Sequence, residues 1–152
     1  MNSLDPDPIS TLLDRQAIVD LTHTYCWALD SRNLALLDDV FVPEAVAELR
    51  SRPLEGREAI RDRIATALEP LDATQHTVTN HHVVIDGDRA TSRCYLHSQH
   101  VREAAVGGPL YVIAGRYEDE LVRTPDGWRI SLRRLVQVWT DGNLEVVLRR
   151  LG

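Results

Sequence analysis

The hydrophobic pattern of this chain changes period once, and that change limits the fold more than any other feature. Leu13, Ala17, Ile18, Leu21, Tyr25 and Leu29 recur at steps of three and four residues, which gives a helix over 10–30 one apolar face. Ser10 is placed to cap it, with Asp14 in its first turns. A second, shorter helix at 33–40 turns Leu34, Leu37 and Val40 inward, and Pro43 then breaks the chain before an apolar segment at 45–49. The stretch GREAIRDRIATALEP, opening at Gly56, reads as a third helix with Ile60, Ile64 and Leu68 as its stripe, stopped by Pro70. Beyond that point apolar and polar residues alternate. Strands are predicted at about 75–85, 89–102, 109–123 and 127–139. They are joined at Asp86-Gly87-Asp88, Gly107-Gly108-Pro109 and Thr124-Pro125-Asp126-Gly127, all turn chemistry. Helices first and an antiparallel meander last define an α+β protein, with the helices on one side of a curved sheet. The 152 residues suffice for one core: a flexible leader at 1–9, a domain over 10–142 and a tail at 143–152.

Composition removes several classes of function. The formal net charge is −6, and the Arg pairs at 133–134 and 149–150 are the densest basic points, so no track for a nucleic acid stands out. All 17 basic residues are arginine. Without lysine, a protein Schiff base or a lysine-held pyridoxal phosphate is impossible. Cys26 and Cys94 lack metal spacing and read as buried free thiols, and no other ligand pair has helix or knuckle spacing, so neither metal nor organic cofactor is expected. No signal sequence or membrane-spanning run is visible, and a cytoplasmic protein is expected.

The polar residues that remain need a reason. In ATQHTVTNHHVV, residues 73–84, strict alternation puts His76, Val78, Asn80, His82 and Val84 on one face, and Thr77, Thr79, His81, Val83 and Ile85 on the other. Neither face is clean. An edge strand explains this pattern, and a solvated edge accounts for His81 and His82; for His76 a pocket is as good a reading. The first helix ends in YCWALD, with Tyr25 and Asp30 about 140° apart around the axis, able to flank a pocket mouth. An aspartate at a helix C-terminus opposes the macrodipole, which favours a specific partner such as a His or Arg from the sheet. Arg133 and Arg134 point to opposite faces, so one turns toward the helices and needs an anion, either a carboxylate or a substrate charge. Tyr117 and Asp119 share a face on the preceding strand, and His97 and His100 lie on opposite faces of the strand before that.

In this order, DRQAIVDLTHTYCWALDSRNLALLDDVF, LEGREAIRDRI, TQHTVTN, the DGDRA turn, GRYEDELVR and DGWRISLRR resemble the SnoaL-like group of the nuclear-transport-factor-2-like superfamily over about 10–142. The resemblance implies a cone-shaped, mostly antiparallel curved sheet wrapped around N-terminal helices, a fold also called cystatin-like, with a deep apolar pocket. Within the group the pattern is most similar to scytalone dehydratase, bile-acid 7α-dehydratase and hexachlorocyclohexane dehydrochlorinase. Their Asp at the end of the first helix falls on Asp30, and their His at the start of the following strand on His76. The dehydratase Tyr falls on Tyr25, the dehydrochlorinase Asn and Arg on Asn80 and Arg133, and a second pocket His on His100, with His97 as the one-residue alternative.

This resemblance implies a cofactor-independent dehydratase in which Asp30 orients His76 as general base, while Tyr25 and Arg133 steady developing charge. Asn80, His100, Tyr117 and Trp27 are expected around a small, apolar, cyclic substrate. An isomerase or cyclase on the same pair, or a non-catalytic binding or assembly protein, is the alternative. A homodimer or homotrimer is expected, with no nucleic-acid or membrane partner.

Overall fold

The structure is a computed structural model that describes residues 7–148. Most of the expected leader and the last residues of the expected tail, Arg149 and Arg150 among them, lie outside those residues. Helix α1 spans Pro8–Asp30 and begins earlier than the sequence suggests. Asp7, not Ser10, is its cap, accepting a hydrogen bond from the Ser10 backbone N–H, and Pro8 occupies the first turn, where a missing N–H costs nothing. Its buried face is Ile18, Leu21, Thr22, Tyr25, Cys26, Ala28 and Leu29. Leu13 and Ala17, expected on that face, are exposed.

The second predicted helix is a 3-10 helix, Leu34–Asp39. Strand β1, Phe41–Glu48, follows and runs through Pro43 instead of starting after it. The proline is tolerated because the β1 ladder is interrupted between Phe41 and Val46, where no N–H is needed. A two-residue strand β2, Leu54–Glu55, precedes helix α2, Arg57–Leu68, which buries Ile60, Ile64 and Leu68 as predicted. The four long strands are β3 Ala73–Asp86, β4 Arg89–Val101, β5 Leu110–Thr124 and β6 Gly127–Gly142. A short 3-10 turn, Leu144–Val146, ends the described chain.

The six strands form one sheet in the order β2-β1-β6-β5-β4-β3, antiparallel except for the β1–β6 pair. Bulges bend it around the helices. On β6 an extra residue lies between the partners of Ala114 and Gly115, and the bend brings the strands so close that a Cβ on Gly115 would meet the Val136 carbonyl oxygen at 2.1 Å. Ile18, Leu37, Val40, Ala45, Ile60 and Ile130, all wholly buried, fill the space between the concave sheet face and the helices.

The bulge in β3 has the largest effect on function. Thr79 pairs with Tyr95 and His82 with Arg93, so three residue steps on β3 oppose two on β4. Asn80 absorbs the surplus at φ 57°, the left-handed region that asparagine tolerates better than most residues. The faces therefore exchange parity. Thr74, His76 and Val78 turn inward before the bulge; His81, Val83 and Ile85 turn inward after it. Strict alternation mixes these two sets, which is why neither face reads as apolar. The strand is an edge strand, as expected. His82 is exposed on its outer side, but His81 is not part of a solvated edge.

Candidate active site

An edge strand leaves every second N–H and C=O unpaired, and α1 lies against this one. Near one end of the crossing, Arg15 donates to the Val83 carbonyl at 3.0 Å. At the other, the carboxylate of Asp30 takes the free His76 backbone N–H on Oδ2 at 2.9 Å. The same carboxylate receives the His76 ring through Nδ1 at 2.6 Å and the Thr74 hydroxyl at 2.9 Å, both on Oδ1. The aspartate that opposes the helix dipole thus has three donors from a single strand. Burial pushes its pKa up, but the ring, the backbone N–H of His76 and the Thr74 hydroxyl outweigh burial and hold it below the usual carboxylate value. With Nδ1–H donated to Asp30, the Nε2 lone pair of His76 is left as a base.

His76 and Asp30 are largely buried, at 7% and 18% side-chain exposure, yet both line a groove of about 630 Å³ between α1 and β3. His23, Cys26 and Trp27 form the helix wall of that groove, and Thr74, Thr77, Val78, Gln99 and Val101 belong to its strand side. His100 faces inward behind His76, ring centroids 5.9 Å apart and edge-on, and donates through Nδ1 to the Tyr111 carbonyl at 3.3 Å. Burial, then the neighbouring His76, lowers its pKa to about 4, so it is neutral at ordinary pH. His97 is on the outer face against Trp139, so His100 is the inward one of the two, although it is not among the residues that line the groove.

The remaining expected residues divide. Trp27 lines the groove and is 69% exposed. Asn80 is the bulge residue, exposed and outside the groove lining, so the structure corrects its expected place around a substrate: the geometry that places His76 inward turns Asn80 out. Tyr25, Tyr117 and Arg133 do not line the groove either. They pack beneath α1, with the Arg133 guanidinium between the Tyr25 ring at 4.3 Å and the Tyr117 ring at 4.1 Å. The anion Arg133 requires is Asp119, gripped through Nε at 2.8 Å and Nη2 at 2.7 Å, and both partners are almost fully buried. Such a pair is close to neutral as a unit, and of the two anions the sequence left open, a carboxylate or a substrate charge, the carboxylate is the one in contact. Only Nη1 remains without a partner. Burial raises the pKa of Tyr25 and Tyr117, and both stay protonated. The buried Cys26 and Cys94 are free thiols, pushed by burial to about 12 and about 11.

One polar inward residue escaped the sequence reading. His81 Nε2 lies 2.8 Å from the Thr22 hydroxyl on α1, and its ring is edge-on to His23 at 5.6 Å. The signal available was Asn80 itself, the residue type in that strand most tolerant of positive φ. Among the described residues no cluster of three or more His, Cys, Asp or Glu could hold a metal ion.

A model of the SnoaL-like domain matches residues 10–134. The chain belongs to the SnoaL-like family. A protein of Mycobacterium tuberculosis, itself uncharacterized, is 33% identical over 131 residues, 82% of this chain and 86% of the relative. Terrestric acid biosynthesis cluster protein E of Penicillium crustosum is 31% identical over 141 residues, 89% and 90% of the two chains. Among solved structures, a type 2 hexachlorocyclohexane dehydrochlorinase superimposes with a TM-score of 0.80 at 19% identity, covering 96% of this chain and 99% of that one. A scytalone dehydratase candidate from Novosphingobium aromaticivorans gives 0.79 at 20%, covering 89% and 91%. At such identities the likeness carries the fold: the nuclear-transport-factor-2-like, cystatin-like cone expected from the sequence. Among the described residues no helix is long and apolar enough to cross a membrane.

Proposed function

We propose that this SnoaL-like protein is a small-molecule lyase that removes water by β-elimination, with the Asp30–His76 pair as general base. The observation that carries the reading is the 2.6 Å contact between Asp30 Oδ1 and His76 Nδ1 at the wall of a 630 Å³ groove. That contact fixes the tautomer and leaves the proton-accepting nitrogen in partly apolar surroundings. In this reading Nε2 takes a proton from the carbon next to a carbonyl. The electron pair forms the enolate and then the carbon–carbon double bond as hydroxide leaves the β-carbon. The imidazolium returns its proton to the departing hydroxide, so one water is released and His76 is restored. Such base assistance is worth about 10²–10⁴-fold. His100, kept neutral beside His76, adds no competing positive charge to the imidazolium.

A second copy of the chain is the proposed partner. Tyr95, Val138 and Trp139 are at least half exposed on the outer sheet face, a surface suited to an isologous contact. The lyase reading is tested by incubating the protein with cyclic β-hydroxy-ketones and following enone absorbance. His76→Ala should abolish the signal while leaving circular dichroism unchanged. Conversion to an isomer with no loss of mass would instead favour isomerisation on the same pair. Full activity in a folded His76→Ala protein would remove the base.

A further inference from the structure

The groove does not end at the dyad. Its lining continues along the α1–β3 seam to His23 and Val78, and the next inward side chain on β3 is His81. The Thr22 hydroxyl has one hydrogen, given to the Val19 carbonyl at 2.7 Å, and a carbonyl can only accept. Toward the imidazole 2.8 Å away, that hydroxyl therefore acts as acceptor, and His81 Nε2 is the donor. The proton is thus on Nε2, and Nδ1 carries a lone pair with no protein partner among the described residues. His81 is only partly exposed, flanked by the partly buried Val78, the buried Val83 and the edge of the His23 ring.

The neutral ring is favoured electrostatically as well. Burial lowers the His81 pKa, His23 and Arg133 lower it further, and Asp119 pulls against them. The seam therefore holds two imidazole stations of one kind, each with one nitrogen tied to α1 and the other left as an acceptor. Asp30 orients His76 at one station and Thr22 orients His81 at the other.

We propose that His81 Nδ1, one inward position along β3 beyond Val78, the last lining residue of the substrate groove, is a specificity-determining acceptor, binding a hydroxyl that the ring system distal to the reacting carbon carries past that lining. The proposal rests on the groove being the substrate site. Four strand steps separate His76 from His81 once the bulge is subtracted, roughly 13 Å at about 3.3 Å per residue. Thr22 and Asp30 are about 12 Å apart along α1, which agrees. A contact of about 3 Å at each end leaves roughly 7 Å, the span of a fused bicyclic compound. A hydroxylated bicycle satisfies this site, and one lacking the donor leaves a partly buried acceptor unpaired.

The test uses 5-indanol and 5-methoxyindane, which share the ring system and its oxygen; the methyl ether cannot donate, and the His81 variants below control for its extra methyl. On the full-length protein, 5-indanol should move the His81 Nδ1 resonance upfield in an imidazole ¹H–¹⁵N correlation spectrum and leave the proton on Nε2. 5-Methoxyindane should bind about tenfold more weakly, without that shift. His81→Phe should lose the same tenfold for 5-indanol. His81→Asn, which places an amide oxygen near the Nδ1 position, should restore it, and His81→Gln, which does not, should fail to. In His76→Ala, saturating 5-indanol should still move the His81 Nδ1 resonance, whatever the affinity, which separates this site from the elimination chemistry. Equal binding of the two compounds, an unmoved His81 signal with 5-indanol, or equal affinity in the Phe and Asn variants would overturn the proposal.

Discussion

Replacing Asp30 with asparagine changes one atom of the dyad, and the structure determines what that change does. The carboxylate receives three donors: the His76 backbone N–H on Oδ2, and the His76 ring and Thr74 hydroxyl on Oδ1. An amide has one accepting oxygen, so it must choose. With the oxygen at the Oδ1 position, the amide NH₂ meets the backbone N–H of His76, donor against donor, and a buried N–H goes unpaired at about 1–3 kcal/mol. With the oxygen at the Oδ2 position, the backbone bond survives and the NH₂ faces the ring. His76 Nδ1 then becomes an acceptor, and the ring proton moves to Nε2. The second arrangement costs less, and it occupies the nitrogen that must take the substrate proton. Asp30→Asn should therefore lower turnover of a β-hydroxy-ketone by about 10³–10⁴-fold, the scale of losing both the base and its correct tautomer. The melting temperature should fall modestly, for a loss of about 1–2 kcal/mol as charge-assisted bonds become neutral ones. Enone formation in a spectrophotometer measures the first effect, thermal unfolding the second, and imidazole ¹⁵N shifts the tautomer. An asparagine variant with more than a tenth of wild-type activity, or with its His76 proton still on Nδ1, would refute the reasoning.

Three further outcomes follow from the packing. Arg133→Met strands the buried Asp119 and should cost about 3–5 kcal/mol in urea unfolding, whereas Arg133→Met with Asp119→Leu should recover more than half of that; a double variant no better than the single would show that the pair is not the source of the loss. Asn80→Gly should leave stability within about 0.5 kcal/mol, and Asn80→Val should cost about 1–2 kcal/mol, because a β-branched residue resists the φ of 57° the bulge demands; calorimetry of the two variants decides it. Asp14 accepts from Arg123 twice at 2.8 Å and from Trp128 at 2.9 Å, and these bonds, Arg123's first, lower its pKa from 3.8 to about 2. Its stabilising effect is complete above the unfolded value and fades as pH falls from about 4 through about 2. Reduced by solvent screening it amounts to about 1 kcal/mol, so Asp14→Asn should flatten the acid limb of a stability–pH curve by that much.

The change of hydrophobic period alone determined the architecture. Stripes at three and four residues can cover a sheet only as helices, alternation at two can form a half-buried face only as strands, and glycine-bearing turns fix the meander. The Arg133-Arg134 pair likewise announced that one guanidinium faces inward and needs an anion; the structure decided that it is Arg133 and that the anion is Asp119. The pairing of Asp30 with His76 came from family resemblance, since a separation of 46 positions along the chain leaves no local trace of the contact. Tertiary structure alone decided which side chains share the concave face. One left-handed residue, Asn80, exchanges the parity of β3 and brings His81 inward while turning Asn80 itself out. The seating of α1 on the strand edge decided that Tyr25, Tyr117 and Arg133 pack as a closed stack and that Asp30 and His76 line a groove. Periodicity assigns faces only while every residue keeps the same backbone geometry; a single positive φ breaks that condition, and the partner strand fixes where the break falls.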